Sequence, residues 1–473
     1  MQTKVLPYSR AASYTAYWAF LLAVSRPLIG AYAALLAFVA TIVLNVVYQF
    51  LFRMLNQTRP PLYGDIFTFI LLGRPTTVYL GAQGNEFILN GKLKDVNAEE
   101  VYSPLTAPVF GSDVAYDCPN SKLIKQKEFI KIGLSQAALE AHVPLIEKKV
   151  RTSLLCHPIF MEHRGQWISH QQWRRLTSLP QEALSGEKKC GFTPINSMLP
   201  WAPLPHNKKR DAAHAQMRAI YVDIINKRRN AGDNVPEKLD MIGNLMQCTN
   251  KNGEPLPDRE IAHIMITLLM AGQHSSSSLS PWIMLRLVSQ PAVVEELYQE
   301  QVANIERTGP NGTLAPLRLE DIDNLPLRQN VIREILRVNS LIHSLLRKVK
   351  NPLPVPGTPY VIPTSHVLLA APGVTALTPD ENKKEDIVDY GYGAMSKGTS
   401  SPYLPFGAGR HRCIGEKFAY LNLAVIVATM VRHLRFHNLD EKKGVPDTDY
   451  SSLFSGRLKP ARIGWECGAV KFF

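Results

Sequence analysis

The chain has little that staples or repeats. Its six cysteines (Cys118, Cys156, Cys190, Cys248, Cys413 and Cys467) are scattered through 473 residues without paired spacing. That excludes a disulfide scaffold and a zinc finger, and it fits a reducing compartment. No collagen-like, heptad or solenoid period occurs, so fibrous and repeat architectures are out. The basic residues form no nucleic-acid module, so no nucleic-acid partner is expected.

One absence is local. Pro27 to Phe52 contains no Asp, Glu, Lys, Arg or His. As a helix this stretch would extend about 39 Å at ~1.5 Å per residue, enough to cross a bilayer core of ~30 Å. We expect residues 1–54 to be an N-terminal membrane anchor, with a single transmembrane helix over about 28–52. Residues 55–473 then form one long soluble part.

What is present supports a large folded body. The hydrophobic fraction is 45% and the charged fraction 20%, which excludes wholesale disorder. Lys+Arg minus Asp+Glu is 53 − 40 = +13, which points to an acidic protein or an anionic membrane as partner. Residues 64–90 read as short strands. The pattern turns helical from Ser121, then loses clear periodicity between Ala141 and Cys190. Lys208 to Asn230 reads as a basic helix. Asp258 to Leu287 is the longest helical pattern, with Asp258 as its expected N-cap and Pro281 expected to kink or end it. Asn324 to Lys350 reads as one more helix, carrying Glu334 and Arg337 on one face.

Two segments break local rules. The long helix carries Ala271-Gly272-Gln273-His274 and four serines, Ser275 to Ser278, inside an otherwise apolar run. Such breaks tend to mark function. The alternative is close helix packing at Gly272, with serines bonding back to the helix backbone. The second is Phe406-Gly407-Ala408-Gly409-Arg410-His411-Arg412-Cys413-Ile414-Gly415, followed by an apolar helix from Lys417 to Val431. Positive charge and a helix N-terminus beside Cys413 favour a thiolate. A thiolate loop of this kind can hold a haem iron. A phosphate loop is a weaker alternative, because Gly-Lys-Ser/Thr is missing. A redox or protease cysteine lacks a second cysteine or a clear His/Asn partner.

These residues resemble the cytochrome P-450 superfamily of haem-thiolate monooxygenases. Phe406, Gly409, His411, Cys413 and Gly415 match its Phe-x-x-Gly-x-(Arg/His)-x-Cys-x-Gly loop. Glu334 and Arg337 match its Glu-x-x-Arg pair, and Ala271 to Ser276 matches its oxygen-activation helix. The resemblance extends to the fungal sterol 14-alpha demethylase family. It rests there on Ala271-Gly272-Gln273-His274-Ser275-Ser276, Val101-Tyr102-Ser103-Pro104-Leu105-Thr106, Tyr116-Asp117-Cys118-Pro119 and Gly191-Phe192-Thr193-Pro194.

The resemblance implies a mainly α fold with small β-sheets, with haem b between the long central helix and the Cys loop. Cys413 would be the axial metal ligand. Tyr102, Tyr116, Lys127, Arg347 and His411 would bind haem, mostly through its propionates, with Phe406, Gly407 and Gly415 shaping the loop. Leu105, Thr106, Phe110, Phe192 and Ala271 would line the sterol pocket. Ser275, His274 and Gly272 would serve oxygen activation, and Glu334 and Arg337 would be structural. The implied partners are a sterol such as lanosterol or eburicol, an NADPH-cytochrome reductase and the membrane. The implied state is a monomer in the endoplasmic reticulum membrane with its catalytic part in the cytosol.

Three departures stand against the family pattern, near residues 55–63, 141–189 and 377–388, and they read as deletions. No arginine occurs between Arg347 and Arg410. The third member of the family's Glu/Arg/Arg network therefore has no candidate. A non-catalytic remnant, binding sterol or haem at most, is the alternative reading.

Overall fold

The computed structural model describes residues 65–71, 73–156, 164–167, 200–230, 240–250, 252–307, 313–378, 401–438, 445, 447–449, 456–457 and 463–467. The expected transmembrane segment, Phe192, the segment at 55–63 and most of 377–388 lie outside these residues. No helix among the described residues is long and apolar enough to cross a membrane. The chain divides into two compact units, Met1–Gly73 and Arg74–Phe473. The first contributes strand β1 (Ile66–Leu71).

The second unit is mostly helical. In chain order it contains β2 (Arg74–Tyr79), α1 (Gly81–Leu89), β3 (Val96–Asn97), α2 (Glu99–Phe110), α3 (Asn120–Ile132), α4 (Gln136–Cys156) and β4 (Arg164–Trp167). There follow α5 (Pro205–Asn230), α6 (Met241–Gln247), α7 (Asp258–Val288), α8 (Pro291–Asn304), α9 (Leu319–Asp323) and α10 (Pro326–Val338). Next come β5 (Leu345–Val349), β6 (Leu353–Pro354), β7 (Val361–Ile362), β8 (Val367–Ala370) and α11 (Pro372–Thr375). Last are α12 (Glu416–His433), β9 (Leu434–Asn438), β10 (Thr448–Asp449), β11 (Gly456–Arg457) and β12 (Ile463–Cys467).

Within this unit β2, β8, β5 and β3 lie side by side. Strand β2 runs parallel to β8, with Thr76 opposite Val367, and the other pairs are antiparallel. Arg347 sits on β5 opposite Leu368. Strands β4 and β9 flank β12 in a second, antiparallel sheet, with Trp465 opposite both Gly165 and Phe436.

Helix α12 is apolar nearly all round, and eleven consecutive positions from Leu421 confirm why: only Asn422 among Leu421–Val431 escapes full burial. It forms one core with the C-terminal half of α7, α4, α8 and α10. Each Leu, Ile or Val so buried contributes about 1.5–3 kcal/mol. Buried charge is paired there: Arg432 donates to Gln301 at 2.7 Å and lies 3.6 Å from Glu147. A second core joins α3, α5, α6 and the N-terminal half of α7.

Several expectations are corrected. Gly81–Leu89 is a helix, not a strand. Its buried Gly84, Asn85, Ile88 and Leu89 recur at helical spacing. The expected helix over 324–350 ends at Val338, and Leu345–Val349 is strand β5. There the alternation of Leu345, Arg347 and Val349 overrides the apolar continuity before it. The stretch from Ala141 to Cys156, without clear periodicity by eye, is helical and continues α4. Asp258 is the first residue of α7 rather than its N-cap, and its carboxylate contacts Arg229 at 2.5 Å. Helix α7 runs through Pro281 to Val288. Burial of Trp282 to Leu285 holds the last turns in place, against the lost amide bond.

Candidate functional site

The glycine-rich loop owes its shape to two left-handed residues, Gly407 and Gly409, at φ +68° and +64°. A Cβ on Gly409 would stand 2.5 Å from the carbonyl oxygen of Leu89, so only glycine lets the loop pass α1. Cys413 N donates to the carbonyl of Phe406 at 3.0 Å, closing the loop, and Phe406 packs on Tyr420 at 5.2 Å. Gly415 is the N-cap of α12. From outside, Lys127 on α3 donates to the carbonyls of Arg410 and Arg412, at 2.7 and 2.9 Å.

The loop's side chains are spent differently than the sequence suggests. Arg410 donates to the carbonyls of Gly91 and Val96, at 2.7 and 3.0 Å. Arg412 pairs with Glu416 at 2.6 Å. The basic neighbours of Cys413 lower its thiol less than burial raises it. Burial pushes it up, opposed by a backbone hydrogen bond from Gly415 and by Lys127 and Arg412. Yet the residue has an open surface.

The central helix packs against the Cys loop. Ile414 shares a core with Met265 and Leu268 of α7, and Asn422 of α12 donates to Ser276 at 3.4 Å. Ala271 and Gly272 are exposed in the middle of this helix, between the buried turns at 260–264 and 278–285. A Cβ on Gly272 would meet nothing within 4 Å. Close helix packing at Gly272 is thus excluded, and the glycine borders open space. The serine half of that alternative holds: Ser275 Oγ donates to the carbonyls of Ala271 and Gly272, at 2.7 and 3.2 Å. Its hydroxyl is turned to the helix backbone. The side chain of His274 lies outside what is described.

The third wall is cationic. The rings of Tyr102 and Tyr116 lie tilted at 4.8 Å, and Tyr116 stacks on His411 at 5.4 Å. Tyr102 OH accepts from Leu346 N at 2.9 Å, leaving its own proton to donate. Arg347, 2% exposed, donates once, to its neighbour Leu346, at 2.8 Å. Its Nε, the Nε of Arg410 and the Nε2 of His411 are buried without a partner among the described residues. Burial and the cations Arg347, Lys127 and Arg410 push His411 down to about 3, so it is neutral. The acid at hand is Glu99, whose Oε1 stands 3.7 Å from His411 Nε2. Its sequence position suggests no more than a first-turn acid of α2, and tertiary packing alone brings it here.

Thr106 is buried and donates to the carbonyl of Tyr102 at 2.9 Å; Leu105 and Phe110 are half-buried on the same helix. Glu334 and Arg337 form a two-bond pair, at 2.7 and 2.8 Å, and Arg337 also donates to the carbonyl of Ala376 at 2.8 Å.

The comparisons agree with this geometry. The cytochrome P-450 family model matches residues 181–464. A sterol 14-alpha demethylase of Aspergillus flavus is 71% identical over 94% of this chain and 99% of its own length. One from Aspergillus fumigatus is 60% identical over 91% and 96%. The chain belongs to the sterol 14-alpha demethylase family of cytochromes P-450. An eburicol 14-alpha-demethylase of Penicillium italicum is 50% identical over 91% and 95%. A solved structure, retinoic acid-bound cyanobacterial CYP120A1, has a TM-score of 0.70 at 18% identity, over 87% of this chain and 94% of that one. It shows the shared fold.

Family membership implies haem held by a cysteine thiolate, and the residues of this P-450 fit it. Cys413 is an exposed free cysteine, and metal coordination deprotonates a thiol outright. The unpartnered Arg347 and His411 nitrogens, with the free proton of Tyr102, suit two carboxylates.

Proposed function

We propose that this chain removes the 14α-methyl group of lanosterol or of its 24-methylene relative, eburicol. The exposed Cys413, in a loop whose Ile414 shares a core with Met265 and Leu268 of the helix that carries exposed Gly272, is the observation that carries this reading. The names of the close relatives support the same substrate class. Haem bound through Cys413 would supply the oxygen-activating iron, with electrons from NADPH delivered through a reductase. The methyl is oxidised to an alcohol, then an aldehyde, and leaves as formate with a 14,15 double bond. Three rounds each consume dioxygen and two electrons.

The protein's own part is binding and exclusion. Arg347, His411, Tyr102 and Tyr116 would hold the propionates. Thr106, Leu105, Phe110 and Ala271 supply a largely apolar wall for a ring system with one hydroxyl. Ser275, turned to the helix backbone, must rotate from the Ala271 carbonyl before its hydroxyl can relay a proton. Residues 28–52 would anchor the chain as a monomer in the endoplasmic reticulum membrane, with the catalytic part in the cytosol. A basic face would receive an acidic reductase.

A second reading, a non-catalytic remnant, is favoured by the missing arginine between Arg347 and Arg410. One experiment separates the two. The expressed protein is reduced under carbon monoxide, and lanosterol and eburicol turnover is then assayed with reductase. A thiolate-type Soret band with formate release supports the enzyme. A band without turnover supports the remnant, and no band excludes a working monooxygenase. Loss of the band in Cys413→Ala is expected; its retention would refute the ligand assignment.

A further inference from the structure

Away from the Cys loop, α5 and α7 bring two histidines together. His214 and His263 have ring centroids 5.2 Å apart, with planes at 51°. His263 is 2% exposed, and Gly111 lies against its ring so closely that a Cβ there would stand 2.5 Å from it. Neither ring has a role in the chemistry above.

The tautomers are fixed by the backbone. His263 Nδ1 lies 2.9 Å from the carbonyl of Ser112, to which it can only donate. His214 is hydrogen-bonded to the backbone of Phe110. Its Nε2 has no partner, so Nδ1 makes that bond. Both Nε2 atoms therefore carry a lone pair, and both are buried without a hydrogen-bond partner among the described residues. This is how metal-bound histidines are prepared: the far ring nitrogen donates to a carbonyl and fixes the ring. Burial keeps both rings neutral near pH 7, the form that ligates.

The spacing agrees as well. Two Nε2 atoms on one tetrahedral zinc, each at about 2.0–2.1 Å, put the ring centroids roughly 5 Å apart. We propose that His214 and His263 form a divalent transition-metal site that cross-links α5 to α7. No third His, Cys, Asp or Glu completes a cluster among the described residues, so water fills the remaining positions. Arg218 and Arg259 oppose a cation there, while Asp211 and Asp113 favour it. Imidazole ligands suit zinc and copper above harder ions.

The test uses the full haem-loaded chain, stripped of adventitious metal with a chelator and titrated with zinc chloride alone by calorimetry. His214→Gln and His263→Gln are titrated beside it, with the Soret band checked as evidence of intact folding. One site per chain, weakened at least tenfold in each variant, supports the proposal. Equal zinc binding in parent and variants, loss in only one variant, or no binding at all overturns it. Zinc should also raise the thermal midpoint of the parent and not of His214→Gln. Should His263→Gln fail to fold, that second measurement decides alone, and equal shifts in parent and His214→Gln overturn the site.

Discussion

Lys127 holds Arg410 by its backbone and not against its charge: the ammonium donates to the Arg410 carbonyl at 2.7 Å. A second bond reaches the Arg412 carbonyl at 2.9 Å. The lysine thereby links α3 to the loop that carries Cys413. Lys127→Met keeps the aliphatic stem and leaves both carbonyls unmet. The expected cost is about 1.5–3 kcal/mol. A chemical denaturation curve reads the loss, and the carbon monoxide difference spectrum should show a smaller thiolate-ligated fraction. An unchanged spectrum and midpoint would remove Lys127 from the loop's support.

Two glycines should respond in opposite directions. Gly409→Ala meets both a left-handed φ and the Leu89 carbonyl at 2.5 Å, so about 1–3 kcal/mol of destabilisation is expected. Gly272→Ala meets nothing and removes backbone freedom from a helix, so it should stabilise by roughly 0.5–1 kcal/mol. Its methyl enters the open space, and the sterol-induced spectral shift should weaken. Thermal midpoints in the reverse order would contradict the placement of these glycines.

The Glu334–Arg337 pair is lopsided. The Glu334 side chain is 46% exposed and the Arg337 side chain 13%. Solvent screens the pair itself, so Glu334→Ala should cost less than about 1 kcal/mol. Arg337→Ala also abandons the Ala376 carbonyl, and about 1.5–3 kcal/mol is expected. Equal losses in urea denaturation would show the pair acting as a buried unit.

Acid should weaken the fold through His433. Burial first, then Arg151 and Arg432, hold it down to about 4. An unfolded histidine titrates near ~6.5. Between those values the unfolded chain binds more protons, so stability is full above the upper value and falls as pH drops toward the lower one. The slope reaches at most about 1.4 kcal/mol per pH unit. His433→Gln should flatten the stability–pH curve across that window, and an unchanged slope would assign acid sensitivity to other groups.

Much of the site is legible along the chain because its rules are local. The glycines of the Cys loop, the polar break after Met270 and the apolar run of α12 each depend on near neighbours in sequence. Pro281 and the run from Asn324 to Lys350 mislead for the complementary reason. Burial of Trp282 carries α7 past its proline, and pairing with β8 draws Leu345–Val349 into a sheet. Partners outside the local stretch of sequence decide both.

By itself the sequence determined the Cys413 loop, the Glu334–Arg337 spacing and the long helix with its glycine break, since backbone sterics and periodicity act over a few residues. Only the tertiary structure decided that Glu99, Tyr116 and Arg347 meet His411, that Gly272 borders open space, and that His214 and His263 keep unshared lone pairs. Burial and hydrogen-bond satisfaction are properties of the packed chain, set by what surrounds a side chain in space rather than by what precedes it.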